Sequence, residues 1–200
     1  MKFHLGSFPQ FENFQPDSSW NLYDNKKKSI WIRRLKALPI GMMNICFLSI
    51  ILLLITYVSG WIKNISFPIS IIEFIICLIG VNFVHELLRV VFHPKVGLSS
   101  RTIIGFWPSR LLLYSSYNGD LNRNRYIAGL IIPNIILFFS PLVIAIITKT
   151  LHPWMVYVPI VSGLLSGNDI QTLITIIELP PYISIRNQGG NMYYKDDLLE

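Results

Sequence analysis

Four apolar runs separated by polar segments dominate the pattern of this chain. Each run is long enough for the ~20 residues that an α-helix needs to cross a bilayer. The pattern therefore predicts an all-α membrane protein with about four transmembrane helices, the third kinked by its two prolines. The predicted helices extend approximately over Ile40–Trp61, Ile69–Phe92, Ile127–Thr148 and Trp154–Glu178.

Composition supports this class. Of the 200 residues, 52% are hydrophobic and 14% are charged, and the mean hydropathy is +0.49, which excludes an ordinary soluble domain. The net charge of +6 comes from basic residues that flank the apolar runs. The lipid bilayer, and not nucleic acid, is the expected partner of these residues. The two cysteines, Cys46 and Cys77, lie inside apolar runs and indicate neither a disulfide framework nor a metal site.

The distribution of Lys and Arg predicts the orientation. Seven lie before the first run, five lie between the second and third runs, and two lie in the C-terminal tail, whereas Lys63 and Lys149 alone fall on the opposite side. Because cytoplasmic segments carry the excess of Lys and Arg, both termini and the 95–126 loop are expected in the cytoplasm, with the chain crossing the plasma membrane several times.

The segments outside the membrane also carry structural signals. We divide the chain into a cytoplasmic N-terminal segment (1–38), a four-helix membrane domain (39–180) and a cytoplasmic tail (181–200). Val96–Tyr117 predicts a hairpin or re-entrant structure, and Tyr182–Tyr194 predicts two short strands around Gly189 and Gly190, so the loop and the tail are β-rich. The aromatic N-terminal segment is expected either to lie at the membrane interface or to form a mobile tail.

Helix two carries a stripe of polar residues. On a helix, Asn82, His85, Glu86, Arg89 and His93 share one face at spacings of i, i+3, i+4, i+7 and i+11. Ionisable groups inside a membrane segment are costly and mark functional sites. The stripe contains H-E-x-x-R, where a zinc peptidase would have H-E-x-x-H.

Helix four carries a second polar feature. Gly163 and Gly167 form a G-x-x-x-G pattern that allows close contact between membrane helices, and Asp169 follows it. His85 lies 16 residues into helix two, and Asp169 lies 15 residues into helix four, counted from the same side. At ~1.5 Å per residue both lie ~22–24 Å deep, which allows a shared site near the cytoplasmic face.

These motifs make the chain similar to a known family of membrane proteins. It resembles the bacterial membrane proteins described as putative zincin peptidases, which are related to the site-2 intramembrane metalloproteases. The resemblance covers roughly residues 35 to 195 and rests on three motifs and the terminal strands. The motifs are His85–Glu86 on helix two, the Leu121-x-Arg123-x-Arg125-Tyr126 run and Ser166-Gly167-Asn168-Asp169 on helix four.

The resemblance implies a zinc peptidase site with one departure. His85 and Asp169 would be metal ligands, and Glu86 would be the general base that activates water. The second histidine of the motif falls on Arg89, which is permanently cationic and cannot bind zinc.

Three hypotheses for the site follow. In the first, Arg89 replaces the metal ion as the positive centre and pairs with Glu86 and Asp169, so the protein is a degenerate pseudo-peptidase without cofactor. It would then bind or regulate a membrane peptide or protein. In the second, His93 supplies the missing ligand, and the protein is an active zinc metallopeptidase at the membrane. In the third, the stripe only holds helices together. A small helical bundle for immunity or transport is a further alternative, although four helices without a repeat fit transport poorly.

Overall fold

The computed structural model describes residues 1–23, 30–58 and 70–196. Their contacts divide the chain into two compact units. Unit 1 comprises residues 1–29, 86–132 and 172–200, and unit 2 comprises residues 30–85 and 133–171. The predicted end of helix one at Trp61, the start of helix two at Ile69 and the outer loop with Lys63 lie outside the described residues.

Four long helices account for the apolar runs. They are α1 (Ile30–Val58), α2 (Ile71–Val91), α3 (Arg123–Thr148) and α4 (Pro153–Ile177). Three of them, α2, α3 and α4, are long and apolar enough to cross a membrane. Within α1, the apolar stretch found among the described residues is Leu38–Ile51, which is shorter than a span requires. A fourth span therefore stays a prediction.

The start of α1 differs from the prediction. The helix begins at Ile30, about ten residues before the apolar run, and continues through Pro39. The extra residues include Arg33, Arg34, Leu35 and Lys36, which are good helix formers. Local helix propensity thus extends α1 beyond the apolar stretch that a hydropathy pattern detects.

Unit 1 contains two small sheets. Their strands are β1 (Lys2–Leu5), β2 (Asn21–Leu22), β3 (Thr102–Trp107), β4 (Leu112–Tyr117), β5 (Leu121–Asn122), β6 (Ile183–Gln188) and β7 (Asn191–Asp196). The first sheet has the order β1-β3-β4 and the second has the order β2-β7-β6-β5. The hairpin predicted in the central loop is confirmed as β3 and β4, and the hairpin predicted in the tail is confirmed as β6 and β7 around Gly189–Gly190.

The described residues 1–23 of the N-terminal segment form paired strands, which differs from the mobile-tail alternative. Its β1 pairs in parallel with β3, and its β2 pairs antiparallel with β7. Phe11 and Phe14 are buried, and the Gln188 side chain bonds to both the amide and the carbonyl of Phe11. These partners lie about 100 to 180 residues away in the sequence, so no local pattern could have revealed them.

A small hydrophobic core in unit 1 joins the tail to helix ends. Ile183 and Ile185 alternate along β6 and pack with Leu130 of α3 and Ile176 of α4. Arg123, at the start of α3, donates from Nε to the carbonyl of Ile176 at 3.2 Å and from Nη2 to that of Ile177 at 3.2 Å. A cation at the last carbonyls of α4 stabilises that helix terminus.

In unit 2, α1 and α4 approach closely. A Cβ added to Gly41 would lie 3.3 Å from the carbonyl oxygen of Leu164, and one added to Gly163 would lie 3.5 Å from Ile45. Asn44 donates to the Ser166 hydroxyl at 2.7 Å, and that hydroxyl donates to the Gly163 carbonyl at 2.7 Å. The small residues of α4 therefore contact another helix, as expected for such a pattern, and that helix is α1.

Candidate functional site

His85 and Asp169 meet in unit 2. His85 lies on α2 and Asp169 lies on α4, and both side chains are buried. The Nε2 atom of His85 is 3.0 Å from Oδ2 of Asp169. Asn134, on α3, donates from Nδ2 to the same carboxylate oxygen at 3.1 Å. Three helices thus each contribute one polar side chain to a cluster surrounded by apolar sequence.

Two residues of unit 1, Arg89 and Ser115, contact Glu86. Its carboxylate is buried, and Oε1 accepts a hydrogen bond from Nη1 of Arg89, three residues further along α2, at 3.0 Å. The other oxygen, Oε2, accepts a hydrogen bond from the Ser115 hydroxyl of β4 at 2.7 Å. Both oxygens of the predicted general base are therefore engaged by donors of the protein itself.

His93 lies beyond the end of α2. The helix ends at Val91, and His93 has an extended backbone with φ −71° and ψ 155°. Its ring is buried, with its centroid 5.6 Å from that of Tyr117 on β4. Burial first and the positive charge of Arg89 second lower the pKa of His93 from 6.5 to about 4, while Glu86 acts in the opposite direction. His93 is thus held in its neutral form.

Part of the donor set fits zinc. Two ligand atoms of a tetrahedral zinc ion, with bonds of about 2.1 Å, lie about 3.4 Å apart. The 3.0 Å between Nε2 of His85 and Oδ2 of Asp169 is close to this separation. A catalytic zinc needs a third protein ligand, and the motif offers Arg89 in that position, a permanent cation. Among the residues that the structure describes, no group of three or more His, Cys, Asp or Glu side chains could hold a metal ion. The residues therefore do not fit a complete zinc site.

The structure brings the predicted residues together in two pairs, His85 with Asp169 and Glu86 with Arg89. The predicted pairing of Arg89 with Asp169 and the proposed ligand role of His93 stay predictions. Gly163 and Gly167 are both buried.

Two participants were not identified as such from the sequence. An asparagine that follows a proline in a membrane helix, as Asn134 does, is expected to satisfy the backbone that the proline frees, but the Asn134 amide donates to Asp169. The sequence gives no signal for Ser115, because this residue lies 29 positions from Glu86, which it contacts.

One comparison with known proteins identifies a family. The sequence profile of one family, described as "Putative zincin peptidase", matches residues 78–183. No curated protein and no solved structure matches the chain. The matched region contains α2 from its third turn, the central hairpin, α3 and α4. Because this region is more than half of the chain, the protein belongs to the family of putative zincin peptidases.

Proposed function

We propose that this protein is a pseudo-peptidase of the zincin type, a degenerate member of its family that binds or regulates and does not hydrolyse peptides. The observation that carries the proposal is the 3.0 Å contact between Arg89 and Glu86. The family match and the three long apolar helices support a membrane protein resembling a metallopeptidase. The loss of peptidase activity is inferred from the contact between Arg89 and Glu86.

The chemistry of Glu86 explains the inference. In an H-E-x-x-H site, the glutamate accepts a proton from the zinc-bound water. A general base must present a free oxygen to that water. Here Oε1 is bonded to a guanidinium and Oε2 to a hydroxyl. A permanent cation at the second ligand position also repels a dication, so Arg89 opposes both metal binding and proton transfer.

The binding role is proposed for a membrane peptide or protein. Buried polar groups within apolar helices are retained where a protein handles a polar ligand in the membrane. His85, Asn134 and Asp169 supply such groups on three helices. A peptide bond offers both a donor and an acceptor to this cluster, which is the chemistry that a former peptidase site would keep.

Zinc content tests the proposal. The full chain, purified in detergent, is analysed for zinc by mass spectrometry as wild type, as His85→Ala, as Arg89→His and as His85→Ala/Arg89→His. The wild type is expected to hold well below one zinc per chain. Arg89→His should raise the content, and the added His85→Ala should abolish the gain. One zinc per wild-type chain that disappears in His85→Ala would overturn the pseudo-peptidase proposal.

An active zinc metallopeptidase is the second candidate. It is favoured by the separation of His85 and Asp169, which is near that of two ligands on one tetrahedral zinc ion. It requires a further ligand, for which His93 is the candidate. If the wild type holds zinc, hydrolysis of a membrane peptide that is lost in Glu86→Gln would establish this candidate.

We also propose a four-span arrangement in the bacterial plasma membrane, with both termini cytoplasmic. The pairing of β1 with β3 and of β2 with β7 supports it, because these pairs join the N-terminal segment to the central loop and to the tail. Segments in one small sheet lie on one side of a membrane, and the predominance of Lys and Arg in these segments favours the cytoplasmic side.

A further inference from the structure

A cavity of about 360 Å³ lies in unit 1, in the turn that follows α2. Its volume falls within the roughly 300–1,000 Å³ of small-molecule sites. The lining residues are polar or basic with one exception, a proline. They are Pro94, Lys95, Ser99, Ser100, Arg101 and Tyr117. None of them belongs to the His85 or Glu86 clusters.

The lining carries the chemistry of an anion site. Lys95 and Arg101 bring two positive charges, and the six lining residues include no carboxylate. Ser99, Ser100 and Tyr117 add hydroxyl groups that can donate to an oxyanion. An ammonium and a guanidinium with nearby hydroxyls are the donors that proteins use for phosphate.

The backbone around the cavity is held in an unusual conformation. Lys95 and Val96 have φ of 56° and 54°, in the left-handed region that residues with a Cβ rarely adopt. Gly97 follows with φ 74°, and a Cβ there would lie 2.2 Å from Val90, so glycine is required. The Gly97 amide donates to the His93 carbonyl at 3.2 Å. Strain of this kind persists where the surrounding structure maintains it, and it is frequent in ligand sites.

We propose that this cavity binds a phosphate group, and its place in the chain points to the headgroup of a membrane lipid as the source. Pro94 lies three residues after the end of α2, a candidate membrane span. The cavity therefore occurs where the chain leaves the hydrocarbon region and meets the headgroups. Two apolar side chains beside it, Val96 and Leu98, are 62% and 79% exposed, as expected of residues that contact lipid.

The test uses the full chain in maltoside micelles, which contain no phosphate. The probes are phosphatidic acid, a diacylglycerol with the same acyl chains but no phosphate, and inorganic phosphate. Native mass spectrometry measures the lipids, and calorimetry measures inorganic phosphate. The test variant is Lys95→Gln/Arg101→Gln. The matched control is Lys2→Gln/Arg125→Gln, which removes the same charge from two exposed residues outside the cavity.

We expect the wild type to retain phosphatidic acid and to release diacylglycerol. The test variant should bind phosphatidic acid at least about tenfold more weakly, because it loses two charge-assisted contacts. The control variant should bind as the wild type does. Binding of inorganic phosphate alone, with the same dependence on Lys95 and Arg101, supports the phosphate site with a soluble source. Equal weakening in both variants, equal retention of diacylglycerol, or no binding of either phosphate probe would overturn the proposal.

Discussion

Arg89 replaces the second histidine of the zincin motif and forms an ion pair with Glu86. The contribution of this pair to the free energy of unfolding can be measured. Removing the Arg89 side chain takes a charged donor from the Glu86 carboxylate, which is 8% exposed and also accepts a hydrogen bond from the Ser115 hydroxyl. Arg89→Ala should therefore lower the free energy of unfolding by about 2 kcal/mol, between the values for exposed and for fully buried pairs. Glu86→Gln should cost less, since the amide oxygen still accepts a hydrogen bond.

Thermal and chemical unfolding in detergent would measure the coupling. In Arg89→Ala/Glu86→Gln no lone charge is buried, so the loss should be smaller than the sum of the two single losses. Arg125→Ala, which removes an exposed arginine of α3, is the control and should change little. Additive effects of the two site variants would show that the contact contributes nothing.

His93 should make the protein less stable in acid. Its pKa is about 4 in the folded protein against 6.5 ordinarily, so the unfolded chain binds more protons between these two pH values. Stability therefore rises with pH across this window and is lost as the pH falls from 6.5 towards 4, by up to about 3 kcal/mol. His93→Phe keeps a ring against Tyr117 but cannot titrate, and its unfolding midpoint should depend less on pH.

The pH series has an internal control. The variant His152→Phe, at an exposed position between α3 and α4, controls for the exchange of a histidine for phenylalanine. Parallel curves for the wild type and His93→Phe would assign the acid sensitivity to other groups.

At this scale the sequence predicts the residues of the site better than their partners. His85, Glu86, Arg89 and Asp169 stand out because a charge in an apolar run is rare. The periodicity of one helix also predicts the Glu86–Arg89 contact, since residues three apart are neighbours. It says nothing of Ser115 or Asn134, because contacts between separate elements depend on the tertiary fold.

At the scale of elements, the helices follow from hydropathy and the hairpins from local turn chemistry. Gly189 and Gly190, both with positive φ, form the turn that joins β6 and β7. The same analysis does not detect the short strands β1 and β2. Their partners are distant in sequence, and the two strands are only four and two residues long.

The contact between α1 and α4 can be tested with two matched glycines. Gly41→Leu should destabilise the protein by about 1–3 kcal/mol, because the new side chain would enter the space occupied by the α4 backbone near Leu164. Gly80→Leu on α2 is the control, since a Cβ there would meet no described atom within 4 Å. Both changes give the same gain in helix propensity. Thermal unfolding in detergent would compare them, and equal midpoints would contradict close packing at Gly41.

At the scale of the whole molecule, each unit draws on separate parts of the chain. Unit 1 combines the N-terminal segment, the central loop and the tail, and unit 2 combines segments from all four helices. A contiguous division at residues 38 and 180 describes position relative to the membrane, and it stays a prediction. Hydropathy yields contiguous segments, whereas the contacts that define a unit join segments far apart in sequence.

The sheet pairing in unit 1 constrains the number of membrane crossings. β1 precedes α1, and its partner β3 follows α2. Since paired strands lie on one side of a membrane, an even number of crossings separates them. If α2, which is long and apolar enough to span, crosses the membrane, we expect α1 to cross it as well, despite its shorter apolar stretch. The fold therefore favours four crossings over three.

Reporter fusions can decide between these counts. A reporter active in the cytoplasm and one active outside are fused in turn to the N-terminus, within residues 62–67 and after residue 200. With four crossings, both termini should report inside and the 62–67 loop outside. With three, the N-terminus would report on the same side as the 62–67 loop. That outcome would place seven Lys and Arg residues outside and separate β1 from β3, contrary to both the charge distribution and the sheet.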